Sequence, residues 1–216
     1  MKDWTFKEFA NNFDAHVREQ LPWYELVTES VAYIARNYVP ENGYIYDIGC
    51  STGNMSKALL PLINERNVFI YGIDNDQGML NNYKKNIIHN NVESYCGFAE
   101  YFEYQKFDVA VLMLVTMFLP VNKQYYFIKN LYNQMNKGGA IIIVDKICDE
   151  KGYFSTVMKR LTMYWKLKNG ANPEDIINKE LSLSGIQRPL DAKLLNKFKA
   201  KQFFQLGEFK GWVIEK

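Results

Sequence analysis

The segment Tyr44-Ile45-Tyr46-Asp47-Ile48-Gly49-Cys50-Ser51-Thr52-Gly53 carries an acid just before a glycine, with a second glycine shortly after it. An apolar run that enters such a turn and leaves it as a helix presents unpaired backbone N–H groups to an anion such as a carboxylate. Gly49 and Gly53 would remove Cβ atoms where the backbone approaches that ligand. The spacing is G-x-x-x-G, whereas a dinucleotide-phosphate turn reads G-x-G-x-x-G. Asp47 would meet a cation directly or through water, so the pattern asks for a zwitterion. A second acid, Asp74, ends Tyr71-Gly72-Ile73-Asp74-Asn75, where a strand-end carboxylate can accept both hydroxyls of a ribose.

In this order the two motifs suit S-adenosyl-L-methionine, which carries an ammonium where NAD carries pyrophosphate. NAD binding and a ligand-free structural domain are the alternatives. The expected cofactor set includes Asp47, Gly49, Cys50, Ser51, Gly53, Asp74 and Asn75. The simplest chemistry is methyl transfer, releasing S-adenosyl-L-homocysteine, which needs positioning and exclusion of water more than a catalytic group. A general base is required only for an acceptor that must lose a proton. The candidates are His16, Tyr24, Asp145 and Glu180, and none stands in a motif that assigns a catalytic residue.

The elements that must hold these residues alternate. Helix Tyr24 to Tyr38, stopped by Pro40, feeds strand Tyr44 to Ile48, helix Thr52 to Asn64, strand Val68 to Ile73 and helix Gln77 to His89. Strands near Val92 to Cys96, Phe107 to Val115 and Ala140 to Lys146 follow, with a helix from about Asn122 to Met135 before the last. The nearly continuous apolar runs VAVLMLV and AIIIV suit strands covered on both faces. Strand-helix alternation predicts an α/β, Rossmann-like, mostly parallel sheet. Two or three helices are expected between Tyr153 and Lys199, then an antiparallel hairpin, 203–206 and 209–214, turning at Gly207. This order resembles the class I methyltransferase fold with seven strands. The chain is expected to be a single domain over 1–216, with a helical leader at 1–40 and a helical lid at 150–200.

The 216 residues, 48% of them apolar, provide one core. With 26 Lys and Arg against 24 Asp and Glu the net charge is +2, which neither requires nor excludes a nucleic-acid partner. Lys193, Lys197, Lys199, Lys201 and Lys210 are expected to form a solvated basic face, with RNA contact as the alternative. The longest apolar run, Val109 to Val115, falls far short of the roughly 20 residues of a membrane helix, and residues 1–7 lack the apolar core of a secretory signal. Cys50, Cys96 and Cys148 lack metal-type spacing and are expected to be reduced, buried thiols of a cytoplasmic protein, with no metal site. His89 is expected to favour a helix C-terminus.

Asp3-Trp4-Thr5-Phe6, Leu21-Pro22-Trp23-Tyr24, Asp47-Ile48-Gly49-Cys50-Ser51, Ile73-Asp74-Asn75, Phe118-Leu119-Pro120, Gly138-Gly139-Ala140 and Lys168-Asn169-Gly170 are similar to the carboxy-S-adenosyl-L-methionine synthase family over nearly the whole chain. That family makes the carboxymethyl donor used on tRNA wobble uridine, taking a carboxyl unit from prephenate. The resemblance implies a homodimer, cofactor contacts at Tyr24, Gly49 to Ser51, Asp74 and Asn75, and adenine neighbours at Phe98 and Ala99. It also implies departures: the family's adenine-side acid falls on Phe98, its fourth-strand Asn on Met113, and its carboxylate-binding lid Arg on Glu180. Like charge at Glu180 predicts weak binding of a carboxylated sulfonium; the adjacent Lys179 is the alternative cation, though helix neighbours point about 100° apart. Expected on these grounds is an S-adenosyl-L-methionine-dependent methyltransferase with a small-molecule or nucleoside acceptor. The alternatives are a carboxy-S-adenosyl-L-methionine synthase and a non-catalytic binder. Asp145, Lys179 and Glu180 are the candidates on the acceptor side.

Overall fold

The computed structural model describes residues 13–148 and 151–216; Asp3 to Phe6 lie outside them. Helices α1 (Phe13–Gln20) and α2 (Tyr24–Arg36) precede β1 (Tyr44–Ile48), α3 (Asn54–Arg66), β2 (Phe69–Asp74), α4 (Gln77–Asn86) and β3 (Val92–Cys96). Then come β4 (Phe107–Met113), α5 (Val121–Gln134), β5 (Met135–Lys146), α6 (Tyr153–Lys168), α7 (Pro173–Ser182), α8 (Ala192–Asn196), β6 (Lys201–Leu206) and β7 (Phe209–Glu215). The strands form one seven-stranded sheet in the order β3-β2-β1-β4-β5-β7-β6. The pairs from β3 to β5 are parallel, and β7 joins β5 and β6 antiparallel.

Period-two alternation divides the core between the two faces of the sheet. Val109, Val111, Ile142 and Val144 pack with Val27 and Val31 of α2 and Leu59 and Leu62 of α3. Ala110, Leu112, Ile141 and Ile143 pack with Phe127, Ile128 and Leu131 of α5. All seven residues of β4 are buried, Asp108 among them, and the other six are apolar, as suits a strand covered on both faces. That run was expected to continue as strand to Val115. It stops at Met113 because Leu114 takes the left-handed conformation, φ 63°, and turns the chain across the strand ends.

Several local expectations are corrected. β5 begins at Met135 rather than Ala140, since Gly139 lets the backbone run beside β4: a Cβ there would lie 2.3 Å from the Asp108 carbonyl oxygen. Helix α4 ends at Asn86, and His89 lies beyond it, its Nδ1 accepting from the Asn91 N–H at 3.1 Å. Cys50 is buried, but Cys96 and Cys148 are exposed. Lys210 is buried in β7, so it does not belong to a solvated face. Among the described residues no helix is long and apolar enough to cross a membrane.

Candidate functional site

The C-terminal ends of β1, β2, β4 and β5 open on a cavity of about 440 Å³, closed from the other side by α1, α6 and α7. Its sheet end is built largely from backbone. The N–H groups of Gly49 and Cys50 donate to the Ile73 carbonyl at 2.7 and 3.0 Å, which fixes the turn after β1 to the end of β2. Ser51, left-handed at φ 49°, donates its N–H to Asp74 Oδ2 at 2.9 Å, and the Asp76 N–H donates to Oδ1 at 2.9 Å. A carboxylate offers about four acceptor sites, so Asp74 keeps capacity for a further donor. Burial raises the pKa of Asp74 against these hydrogen bonds.

Asp47 is 1% exposed and lines the cavity. Its Oδ2 accepts from the Ser56 N–H at 2.9 Å and the Ser56 hydroxyl at 2.6 Å, tying β1 to the first turn of α3. Burial pushes its pKa up to about 6 despite the Ser56 bonds. Tyr24, Cys50, Asn75, Phe98, Ala99 and Met113 line the same cavity. Burial raises the pKa of Tyr24 to about 12 and also raises that of the Cys50 thiol.

The two glycines of the turn do different work from that expected. Gly49 is left-handed, φ 71°, and a Cβ there would sit 2.5 Å from Val115 Cγ2, so its close neighbour is the segment after β4. Gly53, φ 98°, caps α3 away from the lining; its Cβ would meet Ile87 and Tyr83 of the α4 region at 3.0 and 3.1 Å. Asp145 also differs from expectation. It is 0% exposed and is not part of the cavity wall. It accepts from the Thr116 hydroxyl, from the Met117 N–H at 3.1 Å and from the Lys146 N–H at 2.9 Å, with burial pushing its pKa up to about 7. Asp145 thus clamps the segment after β4 to β5.

The lid end is built from long side chains. Lys146 of β5, Lys166 of α6, Lys179 and Glu180 of α7, and His16 and Gln20 of α1 all line the cavity. Glu180 Oε2 lies 3.4 Å from Lys146 Nζ, and Oε1 lies 3.4 Å from Lys166 Nζ. Burial alone would raise the Glu180 pKa, but the two ammoniums outweigh it and hold it below the usual carboxylate range. Lys179 Nζ is 2.8 Å from His16 Nε2. Burial, then the neighbouring ammoniums, pull Lys179 down to about 8 and His16 to about 4. Glu180 is bracketed by lysines far apart in the chain, and Lys179, expected to point about 100° away around the helix, lines the same cavity. No sequence spacing signals Lys146 or Lys166, which come from separate elements.

The donor set fits a nucleoside with a zwitterionic tail. Asp74 supplies acceptors, Phe98, Ala99 and Met79 supply apolar wall, and the turn after β1 supplies backbone. Gln20 lines the cavity with a buried Oε1 that has no hydrogen-bond donor among the described residues, and a bound N–H or O–H group would satisfy it.

Residues 45–139 match the family described as a methyltransferase domain. The structure is similar to that of DhpI in complex with S-adenosyl-L-homocysteine, at TM-score 0.64 and 11% identity over 96% of this chain and 91% of that one. It is also similar to human N-acetylserotonin methyltransferase in complex with S-adenosyl-L-methionine, at TM-score 0.59 and 12% identity over 91% of this chain and 53% of that enzyme's length. Fold and domain define a class I, S-adenosyl-L-methionine-dependent methyltransferase-like protein. Within that class, the chain is 32% identical, over 88% of its length and 84% of the relative's, to the carboxy-S-adenosyl-L-methionine synthase of Staphylococcus epidermidis. It belongs to the carboxy-S-adenosyl-L-methionine synthase family.

Proposed function

We propose that this protein transfers a methyl group from S-adenosyl-L-methionine to a small molecule held under the lid. The observation that carries this is a cavity of about 440 Å³ in which Asp74 and the Gly49–Ser51 turn face a lid rich in ionisable side chains. Asp74 would accept the ribose hydroxyls, Asp47 and Gln20 the ammonium, and Phe98 with Ala99 would flank the adenine ring. Tyr24 and Met113 would complete the wall beside the sulfur. When bound, the cofactor supplies a methyl group on a sulfonium that becomes a neutral thioether on transfer.

The chain's own contribution is then orientation and exclusion of water. Helix α1 is held against the turn by Asp14, whose Oδ1 accepts from Thr52 Oγ1 at 2.8 Å and Asn54 Nδ2 at 2.9 Å. The Asn169 side chain after α6 donates to the Arg18 and Glu19 carbonyls at 2.8 and 2.9 Å, so the lid is fastened to the same helix. The candidate bases are poorly placed to remove a proton. Tyr24 is held protonated, Asp145 lies behind the wall, Glu180 is ion-paired, and His16 Nε2 already meets Lys179 Nζ at 2.8 Å. An acceptor that reacts without losing a proton to the protein suits this site.

The second reading is carboxy-S-adenosyl-L-methionine synthesis, favoured by the family and by Lys146 and Lys166 beside Glu180. Calorimetry with S-adenosyl-L-methionine, followed by assay of S-adenosyl-L-homocysteine release with pools of small acceptors, tests the proposal. Turnover supports methyl transfer. Tight binding without turnover points to a non-catalytic binder, and a bound nucleoside heavier by one carboxyl group points to the synthase.

A further inference from the structure

Lys146 and Lys166 are unusual for where their charges sit. Their side chains are 9% and 8% exposed, and they come from β5 and α6, on either side of the lid end of the cavity. A buried ammonium costs several kcal/mol unless it is paired and hydrogen-bonded. Here both face one carboxylate, Glu180, which meets each with a different oxygen at 3.4 Å. Lys146 has a second carboxylate, Glu208, at 3.9 Å. These distances exceed the roughly 2.7–2.9 Å of a tight charge-assisted hydrogen bond. An ammonium has three protons to give, and the Lys166 ammonium meets one acceptor, Glu180, among the described residues. The carboxylate is the accessible partner: the Glu180 side chain is 38% exposed, on a helix that forms the outer wall.

We propose that the Lys146–Lys166 pair is a subsite for a carboxylate carried by the acceptor, and that Glu180 is a tethered competitor for it. The inference rests on the function proposed above and names the chemical class of its acceptor. Exchange is inexpensive in charge terms, because an incoming carboxylate keeps both buried ammoniums paired while that of Glu180 regains hydration. The subsite is the size of one carboxylate, since one already spans it oxygen by oxygen. Glu180 remains nearby after exchange, and its charge penalises a dianion more than a monoanion. A monocarboxylate is therefore preferred over a phosphate. Glu180 then acts as a specificity residue: a ligand without an anion leaves the glutamate in place and the lid end filled.

The test is titration of the protein with ¹³C-labelled acetate, followed by NMR, with S-adenosyl-L-homocysteine present at saturation and inorganic phosphate as the control anion. Parent, Glu180→Gln, and Glu180→Gln with Lys166→Met are compared, with Lys166→Gln as the second variant should the methionine protein melt early. If Glu180 holds the subsite about nine-tenths of the time, removing its charge tightens acetate binding about tenfold. The gain should be smaller for phosphate and should vanish when Lys166 is replaced. Equal acetate affinity in parent and Glu180→Gln overturns the proposal, as does a gain that survives loss of Lys166. Acetate binding only in the absence of the nucleoside overturns its assignment to a separate acceptor and places the carboxylate on the nucleoside itself. Calorimetry of S-adenosyl-L-homocysteine on the same samples separates the failures. Nucleoside binding without an acetate response sinks this inference alone, whereas absence of nucleoside binding sinks the proposed function.

Discussion

The two ends of the cavity are built by different means. At the sheet end, the Gly49, Cys50, Ser51 and Asp76 N–H groups make the contacts, and the acceptors are the Ile73 carbonyl and Asp74. At the lid end, three elements, β5, α6 and α7, contribute side chains that meet as ion pairs near 3.4 Å. A backbone cradle is indifferent to most substitutions around it and holds its shape as part of the sheet. A cluster of long charged side chains can be re-specified by one exchange. On the function proposed above, the cofactor would sit on the first kind of construction and acceptor choice would fall to the second.

The largest effect is expected where the ends join. Asp145 receives hydrogen bonds from Thr116, Met117 and Lys146, so it holds the cavity segment after β4 to the strand that carries Lys146. Asp145→Ala leaves those donors buried and unsatisfied, and should cost about 3 kcal/mol in chemical denaturation. Asp145→Asn, which keeps one carbonyl acceptor, should cost less. An alanine variant as stable as the parent would show that the two ends are not coupled through this residue.

Next comes the sheet end alone. Asp74→Ala should weaken S-adenosyl-L-methionine binding by about 1–3 kcal/mol through lost ribose hydrogen bonds and a loosened Ser51 turn. Thermal stability should fall less than affinity, and acetate binding at the lid should be unaffected. Calorimetry giving unchanged affinity in a folded variant would remove Asp74 from the cofactor site.

The same contrast explains what the sequence could reveal. The succession of strands and helices and the paired acids were legible because each is a local pattern: a nearly continuous apolar run, a turn with glycine, an acid at a strand end. Ser51 and Asp74 meet because β1 and β2 are neighbours in any such sheet. Lys146, Lys166 and Glu180 meet only after a strand and two lid helices have packed, and no spacing encodes that contact. Read singly, Glu180 looked repulsive to a carboxylate; in place, its own carboxylate lies between two buried ammoniums. Asp145 erred in the opposite direction, since its strand-end position suggested the cavity while its hydrogen bonds place it behind the wall. The left-handed turn at Leu114 was hidden inside an apolar run, because leucine gives no sign of a positive φ.

A smaller effect is expected from reversing the lid charge. Glu180→Arg would leave Lys146 with Glu208 alone and set a third cation beside Lys166. Because the glutamate is partly exposed, the loss should be about 1–2 kcal/mol, less than for a fully buried pair. Urea denaturation at low and high salt checks this, as the deficit should shrink when salt screens the repulsion. A variant that matches the parent at low salt would mean that the lysines do not feel this position.

The smallest effect separates the two ends by pH. His16 is held near 4 by burial and by Lys179, against 6.5 for an ordinary histidine. Between those values the unfolded chain binds a proton that the folded lid refuses, so His16 makes the protein less stable as pH falls from 6.5 towards 4. Asp47 and Asp145 act with the opposite sign. Their pKa values are raised, to about 6 and about 7, so the folded state takes up protons first and gains stability as pH falls towards 3.8. The parent's melting curve mixes these contributions, but His16→Gln removes only the first. The melting temperature of the variant relative to the parent should therefore rise as pH is lowered from 6.5 to 4. The difference should amount to less than about 1 kcal/mol, because the ring is only half-buried. A difference that stays constant across this window would show that His16 titrates as it does in water, and with it would go the picture of a lid end that excludes an additional positive charge.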